Sequence, residues 1–132
     1  METHDCFTVA ELIEYEAMGL TPRGQGARAI LEGWTQKDGK LPVNPSGGLK
    51  AKGHPIGATG VSMHVMSAMQ LVGQAPEGMQ IKNAKLAGIF NMGGAAVAND
   101  VSVLWAEAHL RRAHHLSPIK LPNGGHALLC PP

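Results

Sequence analysis

Between Asn44 and Gly60 the chain reads Asn-Pro-Ser-Gly-Gly-Leu-Lys-Ala-Lys-Gly-His-Pro-Ile-Gly-Ala-Thr-Gly, and no other stretch constrains its fold so tightly. Loops this rich in glycine either wander or let backbone come very close to something. The second reading is favoured because an apolar segment of helical length follows at once, from Pro55 to about Val72. Proline suits the first helical position, where its missing N–H would have had no partner. His54 is then expected at the N-cap, beside the positive end of the helix dipole, which disfavours imidazolium and keeps the ring neutral. The competing reading is a structural loop with an incidental histidine. Val61, Val65, Ala68, Met69 and Val72 follow a helical period, with Met63 and Met66 elsewhere on the circumference. Apolar on several sides and small near its start, this helix is expected to be largely buried. His64 within it reads as a hydrogen-bonded core or interface histidine rather than a ligand.

A second dense cluster, His4-Asp5-Cys6-Phe7, stands near the start. Thr8-Val9-Ala10-Glu11 after it fits a capping box, with Thr8 as N-cap and Glu11 reaching back. Leu12, Ile13, Ala17 and Met18 continue the period up to Gly19, a suitable stop. Cys6 thus precedes a helix N-terminus by two residues and has His4 nearby. Both features favour thiolate, whereas the ordinary fate of a free cysteine is structural burial. Ala27 to Trp34 is predicted as a second helix. Gly24-x-Gly26-x-x-Ala29 imitates a dinucleotide fingerprint, but a Thr-Pro turn precedes it where a strand is required.

Trp34 to Val43 is polar and turn-rich, and with the glycine loop it makes a long irregular stretch of the kind that is functional when ordered. Gly73 to Gly78 makes a turn around Pro76. Lys85 to Asn91 and Ala95 to Leu104 read as strands, and Met92-Gly93-Gly94 joins them as a tight hairpin. Gly93 and Gly94 are expected to supply positive φ there, and freed N–H groups an oxyanion site.

Charged residues make up only 16% of the 132-residue chain and its net charge is +1, which argues against a nucleic-acid binder. No apolar run reaches the ~20 residues of a membrane span, and no signal-peptide pattern opens the chain, so the expectation is a soluble, cytoplasmic protein. Cys6 and Cys130 lie at opposite ends and read as free thiols rather than a disulfide framework. Ala106 to Leu116 is read as a short basic helix. His109, His114 and His115 within it match no established metal-site spacing. A general phosphate-binding loop rests on the glycines alone, since there is no Walker pattern, and no Gly-x-Ser-x-Gly elbow occurs either.

Taken together, the clusters resemble the C-terminal half of a thiolase. Asn44-x-x-Gly47-Gly48 followed by Gly53-His54-Pro55-x-Gly57-x-Thr59-Gly60 resembles the family's Gly-His-Pro signature. His4-Asp5-Cys6-Phe7 resembles the His-Asp-Cys-Phe motif of the sterol-carrier-protein type, where other thiolases carry Asn-Glu-Ala-Phe. Asn91-Met92-Gly93 stands where most thiolases have a Cys-x-Gly motif, a departure shared with that subgroup. The resemblance covers residues 2 to 104. It implies an α/β fold, one half of a five-layer arrangement, with a mixed sheet between the helix after His54 and the helices of residues 8 to 34. The family's strand into His-Asp-Cys-Phe would be represented only by Met1 to Thr3, leaving an exposed pairing edge. Residues 105–132 are expected to be an unrelated, irregular tail.

The resemblance further implies acyl transfer between CoA thioesters through an acyl-cysteine, with coenzyme A as co-substrate and no resident cofactor or metal. His54 would activate the nucleophilic cysteine and donate to the thioester oxygen. Cys6 would be the second acid/base, His4 would complete the oxyanion site at His54, and Gly93 N–H would join a second one. Asn44, Ser46, Gly47, Gly48 and Gly53 would bind substrate. The family's nucleophile lies in an N-terminal half with no counterpart here, so acyl-CoA, CoA and an N-terminal thiolase half or a full-length thiolase subunit are the expected partners. The alternative is a non-catalytic remnant that only pairs with thiolase subunits.

Overall fold

The computed structural model describes residues 1–94, 96–107, 119–120 and 126–127. Strand β1 (Glu2–Thr3) leads through the His4–Phe7 loop into helix α1 (Thr8–Ala17), and the short α2 (Ala27–Leu31) follows. After a turn-rich stretch come α3 (Gly48–Lys52), the long α4 (Thr59–Val72) and the hairpin β2 (Leu86–Gly93) and β3 (Ala98–Trp105). Two further strands, β4 (Ile119–Lys120) and β5 (His126–Ala127), pair antiparallel with each other. The expected helix over 106–116 and Cys130 fall largely or wholly outside the described residues.

The main sheet is mixed, in the order β1-β2-β3. β1 runs parallel to β2 with Glu2 opposite Ile89 and Thr3 opposite Phe90, and β2 pairs antiparallel with β3 from Leu86–Trp105 to Gly93–Ala98. Ala87 and Ile89 point to one face, where α4 packs against the sheet. The mixed sheet with helices is as expected, but on the hairpin the face away from α4 is exposed at Leu86, Val101, Val103 and Trp105 instead of being covered by the helices of residues 8 to 34. Both strands begin later than predicted, β3 by three residues, and β2 runs two residues past Asn91, so Gly93 closes β2 and the turn begins at Gly94. Positive φ falls on Gly94 (57°) and Ala96 (70°), not on Gly93.

Three local expectations are corrected. Phe7, in extended backbone, caps α1 without a side-chain bond, and Thr8 is already helical. Glu11 is drawn elsewhere: it pairs with Lys50 and accepts from the Tyr15 hydroxyl, contacts that outcompete a reach back to the N-cap. Second, α4 begins at Thr59 with Ala58 as N-cap, five residues beyond His54. The Pro55 carbonyl accepts from Ala58 N–H at 2.7 Å and Thr59 N–H at 3.0 Å, so Pro55 opens a turn and His54 stands ahead of it. Third, the buried stripe of α4 is Thr59, Met63, Ser67, Gln70 and Leu71, while Val61 and Val65 are exposed. The helix therefore buries one face only, because among the described residues nothing covers the other. His64 is likewise exposed, yet bonded: Nδ1 meets the Gly60 carbonyl at 2.7 Å and Nε2 the Ser102 hydroxyl at 3.1 Å.

The edge of β1 is not left open as expected. Asn44 N–H donates to the Met1 carbonyl at 2.9 Å, and Thr3 N–H donates to Asn44 Oδ1 at 2.8 Å. The glycine loop thus occupies the place of a further strand and satisfies backbone groups that would otherwise form a pairing edge.

Candidate functional site

β1 and β2 are parallel, and both deliver side chains to the sheet's end at their carboxyl termini, the usual place for a ligand in α/β sheets. Leaving β1, the chain presents His4 and Cys6. The Asp5 carboxylate between them accepts from Leu49 N–H at 2.6 Å, which ties this loop to the start of α3. That contact explains Gly48, whose φ is 65° and where an added Cβ would run into the Asp5 carboxyl group. The expectation that these glycines allow a close approach is met here in backbone detail.

A cavity of about 600 Å³ opens at this end of the sheet, and its wall includes His4, Cys6, His54 and Gly93. Residues from three separate stretches of sequence therefore meet at one hollow. Phe7, Val9 and Ile13 of the α1 region, Ile56 and Phe90 give the rest of the wall an apolar character. An apolar hollow with a few convergent polar groups is the usual form of a small-molecule site.

The two imidazoles meet edge to face, with ring centroids 4.7 Å apart and an interplanar angle of 84°. His4 is buried, and its Nδ1 lies 2.8 Å from Asn91 Oδ1. His54 Nδ1 lies 2.7 Å from the Thr59 hydroxyl, which in turn donates to the Pro55 carbonyl at 3.2 Å. With its single proton given to Pro55, the Thr59 oxygen is left to accept from His54 Nδ1–H. Nε2 of the neutral ring then carries the free lone pair. The helix dipole expected to act on this ring is replaced by the Thr59 hydroxyl, which fixes its tautomer, since His54 lies outside the cap. Such a ring can take a proton from a nucleophile and afterwards donate it.

Glu14 of α1 also lines the cavity wall and is 2% exposed. Burial pushes its carboxyl up to about 8, and the charges of Glu11 and Asp5 push the same way, against the Thr3 hydroxyl and the His4 amide. Neither carboxyl oxygen finds a hydrogen-bond partner of proper geometry.

Of the other residues expected at the site, none lines this cavity. Asn44 clamps β1, and Ser46 Oγ donates to Glu2 Oε2 at 2.8 Å. Gly47 precedes α3 and Gly48 receives Asp5, while Gly53 ends α3 at φ 86° and turns the chain into His54. Thr59, Asn91 and Glu14 were not singled out by sequence as site residues. Thr59 does lie within the Gly-His-Pro stretch, and Asn91 opens the Asn-Met-Gly stretch that resembles a Cys-x-Gly motif without its cysteine, but nothing in sequence marks Glu14. Among the described residues, no group of three His, Cys, Asp or Glu side chains converges as a metal site. Nor is any described helix long and apolar enough to cross a membrane.

Comparison with known proteins gives a consistent picture. Residues 1–106 match the family described as thiolase C-terminal domain-like. The chain is 44% identical over 94 residues to an acetyl-CoA acetyltransferase of Methanothermobacter thermautotrophicus, covering 71% of this chain and 24% of that protein. It is 41% identical over 128 residues to sterol carrier protein 2 of Rattus norvegicus, covering 95% and 23%. It is 43% identical over 82 residues to the benzoylsuccinyl-CoA thiolase subunit BbsB of Thauera aromatica, covering 62% and 21%. The chain thus spans about a quarter of the length of these relatives.

Proposed function

Because this chain belongs to the thiolase C-terminal domain-like family, we propose that it provides the C-terminal catalytic half of an acyl-transfer site acting on 3-ketoacyl-CoA and CoA. The observation that carries the proposal is the convergence of His4, Cys6, His54 and Gly93 on one apolar cavity. An acyl chain fits such walls, and the polar cluster sits where a thioester would react.

In the cleavage direction, a cysteine thiol supplied by an N-terminal half loses its proton to His54 Nε2 and attacks the 3-keto carbon. The bond between the α and β carbons breaks, leaving an acyl-cysteine and the enolate of acetyl-CoA. Cys6 gives its thiol proton to that α-carbon, and acetyl-CoA leaves. Cys6 thiolate then takes the proton of incoming CoA, whose sulfur attacks the acyl-cysteine and releases the shortened acyl-CoA and the nucleophile, which takes its proton back from His54. His4 and His54 stabilise the thioester oxygen, and the Gly93 N–H the acyl-enzyme oxygen. Asn44, Ser46, Gly47 and Gly48 serve substrate binding by holding the His4–Cys6 loop, and Gly53 by aiming His54.

The half-site also explains the bare surface. Leu86, Val101, Val103 and Trp105 lie on the sheet face away from α4, and all are exposed. Further thiolase chain would cover them. Light scattering and a thiolysis assay on the chain, with and without an N-terminal thiolase half, test this reading. One-to-one association with gain of thiolysis is expected, and His54→Ala or Cys6→Ala should cost roughly 10²–10⁴-fold. The chain alone should not turn over 3-ketoacyl-CoA. An inert species that ignores its partner would instead mark a remnant whose motifs record only ancestry.

A further inference from the structure

We propose that Asn91 is a positioning residue: its carboxamide fixes His4 as the Nδ1–H tautomer, so His4 meets the cavity through an Nε2 that accepts a proton and becomes an oxyanion donor only once it holds one. The catalytic consequence rests on the acyl-transfer reading above, but the tautomer itself does not.

The argument begins with the partner atom. His4 Nδ1 lies 2.8 Å from Asn91 Oδ1, and a carbonyl oxygen has no proton to give. The hydrogen in that contact therefore belongs to Nδ1, and a neutral ring has no second one for Nε2. Asn91 is held in place by close packing on its other side. An added Cβ on Gly60 would lie 3.3 Å from Asn91 Nδ2, so the amide is seated against bare backbone at the start of α4. Across the cavity Thr59 fixes His54 in the same sense. Two edge-to-face rings, each with Nδ1 occupied, thus leave two Nε2 lone pairs for one pocket. A developing oxyanion would be repelled by both. One proton taken up by this pair converts a repulsive site into a hydrogen-bond donor.

The titratable groups around His4 are few. Asp5 and Cys6 share its loop, Glu14 of α1 lies beside its amide, and His54 faces it. β2 brings no titratable side chain, and α4 brings only His64, which is bonded to Gly60 and Ser102. The lysines of α3 are engaged by Glu11 and Glu2. On β3, Asp100 stands across from Asn91 in the sheet register.

The test is a long-range ¹H–¹⁵N correlation spectrum of the imidazoles in the 132-residue chain, followed against pH. For the neutral ring the expected pattern is a protonated-type signal at Nδ1 and a bare, pyridine-type signal at Nε2. The reverse pattern, or equal averaging of the two, overturns the proposal. Asn91→Leu keeps the volume but removes the acceptor, so in the folded variant the two His4 nitrogen signals should move towards averaging. An unchanged pattern in a folded variant would count equally against the proposal. In the assembled enzyme the same substitution should lower kcat more than it raises KM. Failure of thiolysis would sink the acyl-transfer reading and leave the tautomer result standing. The reverse tautomer with active enzyme would do the opposite.

Discussion

Glu14 shows how a single residue can set the pH response of this domain. Its carboxyl is buried without a hydrogen-bond partner, and burial raises it from the ordinary 4.5 to about 8. Folding therefore takes up a proton at this position between those values. The contribution of the neutral carboxyl is fully present below about pH 4.5 and is lost as pH rises towards 8. The upper slope is about 1.4 kcal/mol per pH unit. Glu14→Gln stays neutral throughout, so its stability relative to the natural chain should grow from pH 5 to pH 8 and then level off. Urea midpoints at pH 5, 7 and 9 check this, and parallel curves for the two proteins would refute it. The same scale shows what a sequence can disclose. His4, Cys6 and His54 stood out because each lies in a dense motif, and Gly93 as a hairpin glycine, although the turn's positive φ falls on Gly94 and Ala96. Glu14 was not legible, since a glutamate on a helix is ordinarily solvated and only tertiary contact strips it of water. Asn91 was visible only as a replacement for cysteine, because its bond to His4 spans 87 positions of sequence.

Among the elements, the short helix α3 and its flanking glycines act as a brace for the reactive loop. Gly48 combines positive φ with the immediate presence of the Asp5 carboxyl, whereas Gly53 has positive φ but open space around it. Gly48→Ala should therefore cost about 1–3 kcal/mol from backbone strain, and the displacement of Asp5 adds to that. Gly53→Ala meets open space and should cost the backbone strain alone, about 1–3 kcal/mol. Denaturant midpoints with unchanged m-values check the pair, and equal costs would mean that the Asp5 contact is not what constrains Gly48. Helix existence and the hairpin could be read from periodicity and turn residues. The start of α4 could not, because proline is as good at opening a turn as at opening a helix. The choice was made by Thr59, whose hydroxyl bonds both the Pro55 carbonyl and His54. The buried face of α4 was misjudged for a similar reason. Its valines look like core by hydropathy, but the sheet selects Met63, Ser67 and Leu71 instead.

At the scale of the whole molecule, the sheet is covered on one side only among the described residues. α4 covers Ala87 and Ile89, while Leu86, Val101, Val103 and Trp105 on the opposite face remain open, Val103 at 55% and Trp105 at 66% exposure. A contiguous apolar face of this kind marks an interaction surface. If the remainder of a thiolase packs there, a charge placed on the face should leave the isolated chain intact and prevent assembly. Val103→Lys should change the stability of the chain alone by no more than about 0.5 kcal/mol, since the side chain is already largely in water. Against the partner half it would bury an unpaired ammonium, and a penalty of about 3 kcal/mol corresponds to association weaker by roughly 100-fold. Leu31→Lys, at the exposed end of α2, provides a control that places the same charge away from the sheet. Light scattering and titration calorimetry with the N-terminal half read both effects. Loss of association in Val103→Lys alone would locate the partner on the open face of β3. Equal binding by both variants would move the docking surface elsewhere, to the cavity rim formed by Phe7, Val9 and Ile13.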